Sequence, residues 1–193
     1  MKISDFVREF KKTYPGQELY KVATEAEIAS FEESIGILLP STFKEFLRTF
    51  SNGILLLGWE PIGGVDEKSP CGAIRKSERI IYDLPSEVLI EETNELVDSA
   101  RLITLTMFDG GESSNDHWAF ICEEGIPNNE YRIGYIGQDN KSIVKVVRNF
   151  EDWLGIFWKG NKDNKDSEFA IPTFHIIYPD YDERGKILHE WLR

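Results

Sequence analysis

Apolar residues recur at helical spacing three times within the first fifty positions. Ile3, Phe6, Val7 and Phe10 fall on one face and predict an amphipathic N-terminal helix. Thr24 stands three residues before Glu27, the arrangement in which each side chain satisfies a helix-start amide. Ile28, Phe31 and Ile35 follow as one stripe, and Gly36 supplies the stop, because glycine tolerates positive φ. Ile37, Leu38 and Leu39 are too short a run for a helix. Pro40, with fixed φ and no N–H, is suited to open the next helix. Phe43, Phe46, Leu47 and Phe50 form its buried face, and Asn52-Gly53 closes it in the left-handed region. On this reading the apolar positions of 24–53 build core and touch no ligand.

Beyond Gly53 the pattern changes. ILLLGWEPIGG (54–64) reads as an apolar strand, a Gly58-Trp59 turn and a loop. Residues 71–82 fit neither period. Leu84 to Ser99 reads as a helix, with Pro85 and Ser86 at its start, Val88, Leu89 and Leu96 among its positions, and an acidic outer face of Glu87, Glu91, Glu92, Glu95 and Asp98. Residues 101–108, 117–122, 131–136 and 142–147 alternate as strands. The linkers EEGIPNNE and GQDNK carry turn chemistry, which predicts an antiparallel meander. Asn149 can cap a last core helix with Phe150, Trp153, Leu154 and Phe157 on its apolar face. KGNKDNKDSE (159–168) has no period and reads as a loop. A strand at 174–178 and a short helix over 182–193 would follow it. The expected class is α+β, with an antiparallel sheet of about five or six strands packed by helices. Residues 1–158, N-terminal helix included, form the expected domain. Residues 159–193 are an extension packed on that same domain.

Composition bounds the function. Twelve Phe, five Trp and seven Tyr suffice for a real core in 193 residues. No window of about 18 apolar residues exists, so no spanning helix is expected. The N-terminus lacks a signal-peptide apolar block, which makes the cytoplasm the expected location. Two cysteines, Cys71 and Cys122, form no CxxC and read as reduced thiols, at least one of them buried. The 34 acidic against 22 basic residues leave a net charge of −12. That excess argues against nucleic-acid and anionic-membrane binding and suits a basic protein partner or simple solubility.

Catalytic chemistry finds little footing. Asp109, Glu112, Asp116 and His117 come nearest to a metal or acid–base cluster, but their spacing matches no EF-hand or zincin pattern. A loop joining two strands is the default reading there. His117, His175 and His189 have no G-x-S-x-G elbow to serve. His175 sits in an apolar run and reads as a core residue. Gly63-Gly64 and Gly110-Gly111 lack the strand–glycine–helix context of a phosphate loop. No catalytic, cofactor or metal site is expected. Trp59 and Trp118 stand beside loops, where aromatics either anchor an interface or pack half-buried.

FEESIGILLPSTFKEFLRTFSNG (31–53), Gly58-Trp59, FDGGESSNDHWAFIC (108–122) and SIVKVVRNFEDWL (142–154) together resemble the SUKH superfamily, over roughly residues 20–158. That superfamily takes in fungal cell-wall synthesis regulators and bacterial immunity proteins. The resemblance implies an α+β fold without catalysis and, for a bacterial member, an antitoxin that binds and blocks a cognate toxin domain, often a nuclease. A regulatory protein-binding scaffold is the alternative. A basic, nuclease-like toxin would be steered to acidic loops. The expected contacts are therefore Glu60, Asp66 and Glu67 after the Gly-Trp turn, Asp109, Glu112 and Asp116 in the later loop, and the loop-end Trp59 and Trp118.

Overall fold

The structure, a computed structural model, describes residues 1–56, 60–106, 117–137 and 141–161. Two compact units are present: residues 1–17 with the described residues from 151 on, and residues 18–150.

In the larger unit the capping signal at Thr24 forms as its spacing requires. Thr24 Oγ1 accepts the Glu27 N–H at 3.1 Å and the Glu27 carboxylate accepts the Thr24 N–H at 2.7 Å, opening α2 (Glu25–Ile35). Gly36 ends it at φ 70°. The following corner is held by Glu32, whose carboxylate accepts the Leu39 N–H at 2.6 Å and pairs with Lys44 at 3.0 Å. Pro40 is the cap residue of α3 (Ser41–Thr49), one position earlier than a first-turn proline would be. It has no side-chain donor or acceptor, so the start of α3 is satisfied from far along the chain. Glu130 accepts the Thr42 N–H at 2.9 Å and the Thr42 hydroxyl at 2.6 Å. Phe43, Phe46 and Leu47 are fully buried, and Phe43 meets Phe120 and Phe150 with ring centroids 5.2 and 5.1 Å apart.

A two-stranded antiparallel sheet follows, β1 (Ile54–Leu56) and β2 (Glu60–Ile62). The main sheet has β3 (Glu87–Ile90), β4 (Glu95–Asp98), β5 (Leu102–Thr104), β6 (His117–Ile121), β7 (Arg132–Gly137) and β8 (Ser142–Val147), in the order β4-β3-β8-β7-β6-β5. Strands β5 to β8 make the expected antiparallel meander. β3 joins β8 in parallel, so the six-stranded sheet is mixed and the α+β class stands. Val88, Ile90, Val97, Ala119, Ile121, Ile136 and Ile143 share one buried cluster on its face.

The helix expected over Leu84–Ser99 does not form. Those residues are the β3–β4 hairpin, with Asn94 at φ 57° in its turn. Val88, Ile90 and Val97 gain more from burial against distant strands than from a local helix. Of the strand expected at 101–108, residues 102–104 are regular and Thr106 bridges Ile62, while 107 and 108 lie outside the described residues.

The smaller unit holds α1 (Ile3–Thr13) and the body of α4 (Phe150–Asn161). Ile3, Phe6 and Phe10 are buried as their period requires. Phe6 packs edge-on to Trp158 at 5.4 Å, and the Trp158 indole N–H donates to Glu9 at 2.9 Å. α4 continues through Asn161, three residues into the segment read as a loop. The strand expected at 174–178 and the helix expected over 182–193 lie outside the described residues.

Candidate functional site

A groove of about 930 Å³ runs between α2 and the chain from Val65 to Arg79. One wall is the outer face of α2, where Ala26, Ser30 and Ser34 lie in one row and Glu27, Phe31 and Ile35 in the next. These rows are i, i+4, i+8 series, so both project to the same side. Ile28 turns into the core, whereas Phe31 and Ile35 are only half-buried. The stripe read as pure core therefore splits: one member packs inward and two line a cleft.

The opposite wall is placed by the Asn-Gly signal. Asn52 is fully buried, and its Oδ1 accepts the Val65 N–H at 2.8 Å. Gly53, at φ 92°, and Gly64 let these two stretches meet; a Cβ on Gly64 would sit 2.6 Å from the Asn52 carbonyl oxygen and overlap the Ser69 hydroxyl. Gly64 then exchanges backbone bonds with the chain across the loop, donating to Gly72 O at 3.0 Å and accepting from Ile74 N at 2.9 Å. Further along, Arg75 and Thr104 are tied twice at 2.8 Å, and Lys76 bridges Ile103, so residues 73–76 cover the β5 edge of the main sheet. Val65, Ala73 and Ile74 make a buried apolar floor. The rim is charged with both signs: Glu27, Asp66, Glu67 and Glu78 against Arg75, Lys76 and Arg79.

Electrostatically, three acids of this rim, Glu27, Asp66 and Glu67, are already engaged. Lys21 reaches Glu27 at 2.8 Å and Asp66 at 3.3 Å. With the Thr24 bonds added, Lys21 pulls the Glu27 carboxyl down to about 2. Asp66 is also held below its ordinary range, first by the Lys68 N–H at 2.9 Å and then by Lys21. Glu67 pairs loosely with Arg75 at 3.6 Å while its side chain remains 79% exposed.

Of the eight contact residues expected from sequence, the groove brings together Asp66 and Glu67. Glu60 lies in β2, and its side chain is outside the described residues, as are Trp59, Asp109, Glu112 and Asp116. Trp118 is 3% exposed in β6, with its ring 5.3 Å from Tyr135. His117, beside it, is also buried, and its Nε2 lies 2.9 Å from the Ser77 hydroxyl. Among the described residues no three His, Cys, Asp or Glu side chains gather into a metal-binding group. Neither cysteine is in a disulfide, and burial pushes the Cys122 thiol up to about 12, away from the thiolate form.

The groove residues not foreseen include Phe31, Ile35, Arg75, Lys76 and Arg79. Two signals stood in the sequence: the Ala-Ser-Ser row flanking the α2 stripe, and three cations within five positions of an otherwise acidic chain.

Comparison with known proteins gives one family. The model of the SMI1 / KNR4 family (SUKH-1) matches residues 22–156, which spans α2 through most of α4 and the whole groove. No curated protein and no solved structure matches the chain.

Proposed function

We propose, from the premise that the chain belongs to the SMI1 / KNR4 family (SUKH-1), that it is an immunity protein which binds and blocks a cognate toxin domain. Members of this family are generally non-catalytic immunity or regulatory proteins, and the family points to a protein partner. No helix among the described residues is long and apolar enough to cross a membrane.

One observation carries the docking site. The groove has a half-exposed apolar centre, Phe31 and Ile35, inside a charged rim, which is the anatomy of a protein interface. Its exposed ion pairs are weak in water, so exchanging them for a partner's charges costs little. In this reading a toxin segment lays an apolar side chain against Phe31 and Ile35. Basic toxin residues take over Asp66 and Glu67, and acids meet Lys76 and Arg79. The net charge of −12 steers a basic, nuclease-like toxin to the surface. The chain acts by occlusion and contributes no reacting group.

Co-expression with the toxin encoded beside its gene tests this. The wild-type chain restores growth, and Phe31→Glu loses protection while keeping a wild-type circular-dichroism spectrum and melting curve. If the folded Phe31→Glu protein protects fully, the groove is not the docking site. If the wild-type chain leaves the neighbouring toxin active, or no toxin gene adjoins it, the immunity reading fails in favour of a regulatory scaffold.

A further inference from the structure

The two ends of the main sheet differ. The β5 end is covered by residues 73–76. The β4 end carries no pairing strand among the described residues. Register shows what that edge offers. Ser99 N bonds Ser86 O, so the hydrogen-bonded pairs of the hairpin are Val88–Val97 and Ile90–Glu95. Leu96 therefore points its N–H and C=O, and Asp98 its N–H, away from β3, toward an edge that no described strand pairs; the Asp98 carbonyl belongs to the 3-10 turn Ser99–Arg101 that Asp98 caps.

The exposed face of the same hairpin is equally incomplete. Leu89 and Leu96 are directly opposite each other and are 39% and 56% exposed. The next pair on that face is Glu87 opposite Asp98, two like charges in a non-hydrogen-bonded pair, where side chains stand closest. The neighbouring acids have partners: Glu91 with Ser142, Glu92 with Lys145 and Glu95 with Arg132. The Asp98 carboxylate accepts the Ala100 N–H, and no cation among the described residues lies within ion-pair distance of Asp98 or Glu87.

We infer that the β4 edge is a second docking surface, separate from the groove, which takes a basic extended segment of another protein by strand addition. The incoming strand pairs with the N–H and C=O of Leu96 and with the N–H of Asp98. Because side chains alternate, it needs an apolar residue and a Lys or Arg two positions apart. The apolar residue extends the Leu89–Leu96 pair, and the cation relieves the Glu87–Asp98 repulsion. The acid pair selects a basic segment over the neutral or acidic strands that any open edge otherwise recruits.

The test uses the full chain and a fluorescein-labelled peptide repeating Lys-Thr-Val-Thr, which sets Lys and Val two positions apart on one face, with the Glu-Thr-Val-Thr repeat as the control. The expected result is saturable binding of the Lys peptide alone, weakened by salt, with backbone amide protection from hydrogen exchange gained at Leu96 and Asp98. Leu96→Thr, Glu87→Gln and Asp98→Asn, which keep the strand or the cap, each weaken binding by about two- to fivefold. Phe31→Glu, which targets the groove, binds the peptide normally, so failure here is distinguishable from failure of the groove reading. The inference is overturned by absent binding, by binding that the hairpin variants do not change, or by protection that appears elsewhere. It is also overturned if the chain alone forms a dimer in sedimentation that Leu96→Thr abolishes, since the edge then belongs to a second copy.

Discussion

Asn52 does more than end a helix. Its Oδ1 holds the Val65 N–H, its own N–H donates to Lys21 O at 2.9 Å, and its carbonyl closes against Gly64. It therefore fixes both Lys21 and the strand of chain carrying Asp66. Asn52→Ala strands the buried Val65 N–H and is expected to cost about 1–3 kcal/mol, measured by urea unfolding. Asn52→Asp keeps the acceptor but buries a charge, and it should be no milder. Glu27 makes a pH-dependent claim. Its folded-state pKa, about 2, lies below the ordinary carboxylate value because Lys21 and then Thr24 bind the ionised form. A depressed pKa stabilises the fold above the ordinary value, and this contribution is lost as pH falls toward 2. Thermal melts of the wild-type chain and Glu27→Gln should thus converge between about pH 4.5 and 2. At this scale the sequence was informative: the capping box, Gly36 and the α3 phenylalanines stand where their spacing put them. The partners that complete them were not, because Glu130 and Lys21 reach their sites through the tertiary fold and leave no local period.

Among the elements, the hairpin at 84–99 is where local reading failed, and the cause is specific. An amphipathic strand shows its face by alternation, and Glu87-Val88-Leu89-Ile90 breaks it because Leu89 is apolar yet exposed. Leu96 does the same in β4. With alternation obscured and a turn, Glu91 to Asn94, that lacks glycine, the acidic residues mimic a solvated helix face. The two leucines that disguised the strands are those proposed to bind, in keeping with local rules being broken where function needs it. Asn94 separates the two structures by sign. In a helix, Asn94→Ala would stabilise, since alanine has the higher helix propensity. At φ 57° in a hairpin turn it is expected to destabilise by about 1–2 kcal/mol in equilibrium unfolding. The groove failed to show in the sequence for a different reason. Its walls, α2 and residues 65–79, are brought together by a buried side chain and a sheet edge, neither of which is a periodic signal.

For the molecule as a whole, charge sets stability and binding against each other. A net charge of −12 repels itself, and the Glu87–Asp98 pair adds a local repulsion that no neighbouring cation relieves among the described residues. Glu87→Lys replaces a like-charge pair with an opposite one across the same two strands. The free protein should gain about 0.2–1 kcal/mol, read as a higher urea midpoint at unchanged slope. If the acid pair serves only to guard an open edge, that gain has no cost in binding. If it receives a basic strand, the stabilised protein loses the Lys peptide while it still protects against the toxin through the groove. Salt separates the same two effects without a mutation. Raising ionic strength from about 0.05 to about 0.5 M shortens the screening length severalfold. It should raise the melting temperature of the free chain by damping self-repulsion, and weaken the edge complex, whose attraction is between opposite charges. A melting temperature and a peptide affinity that rise together with salt would show that apolar contact alone drives the association, and would remove the charge pair from the recognition.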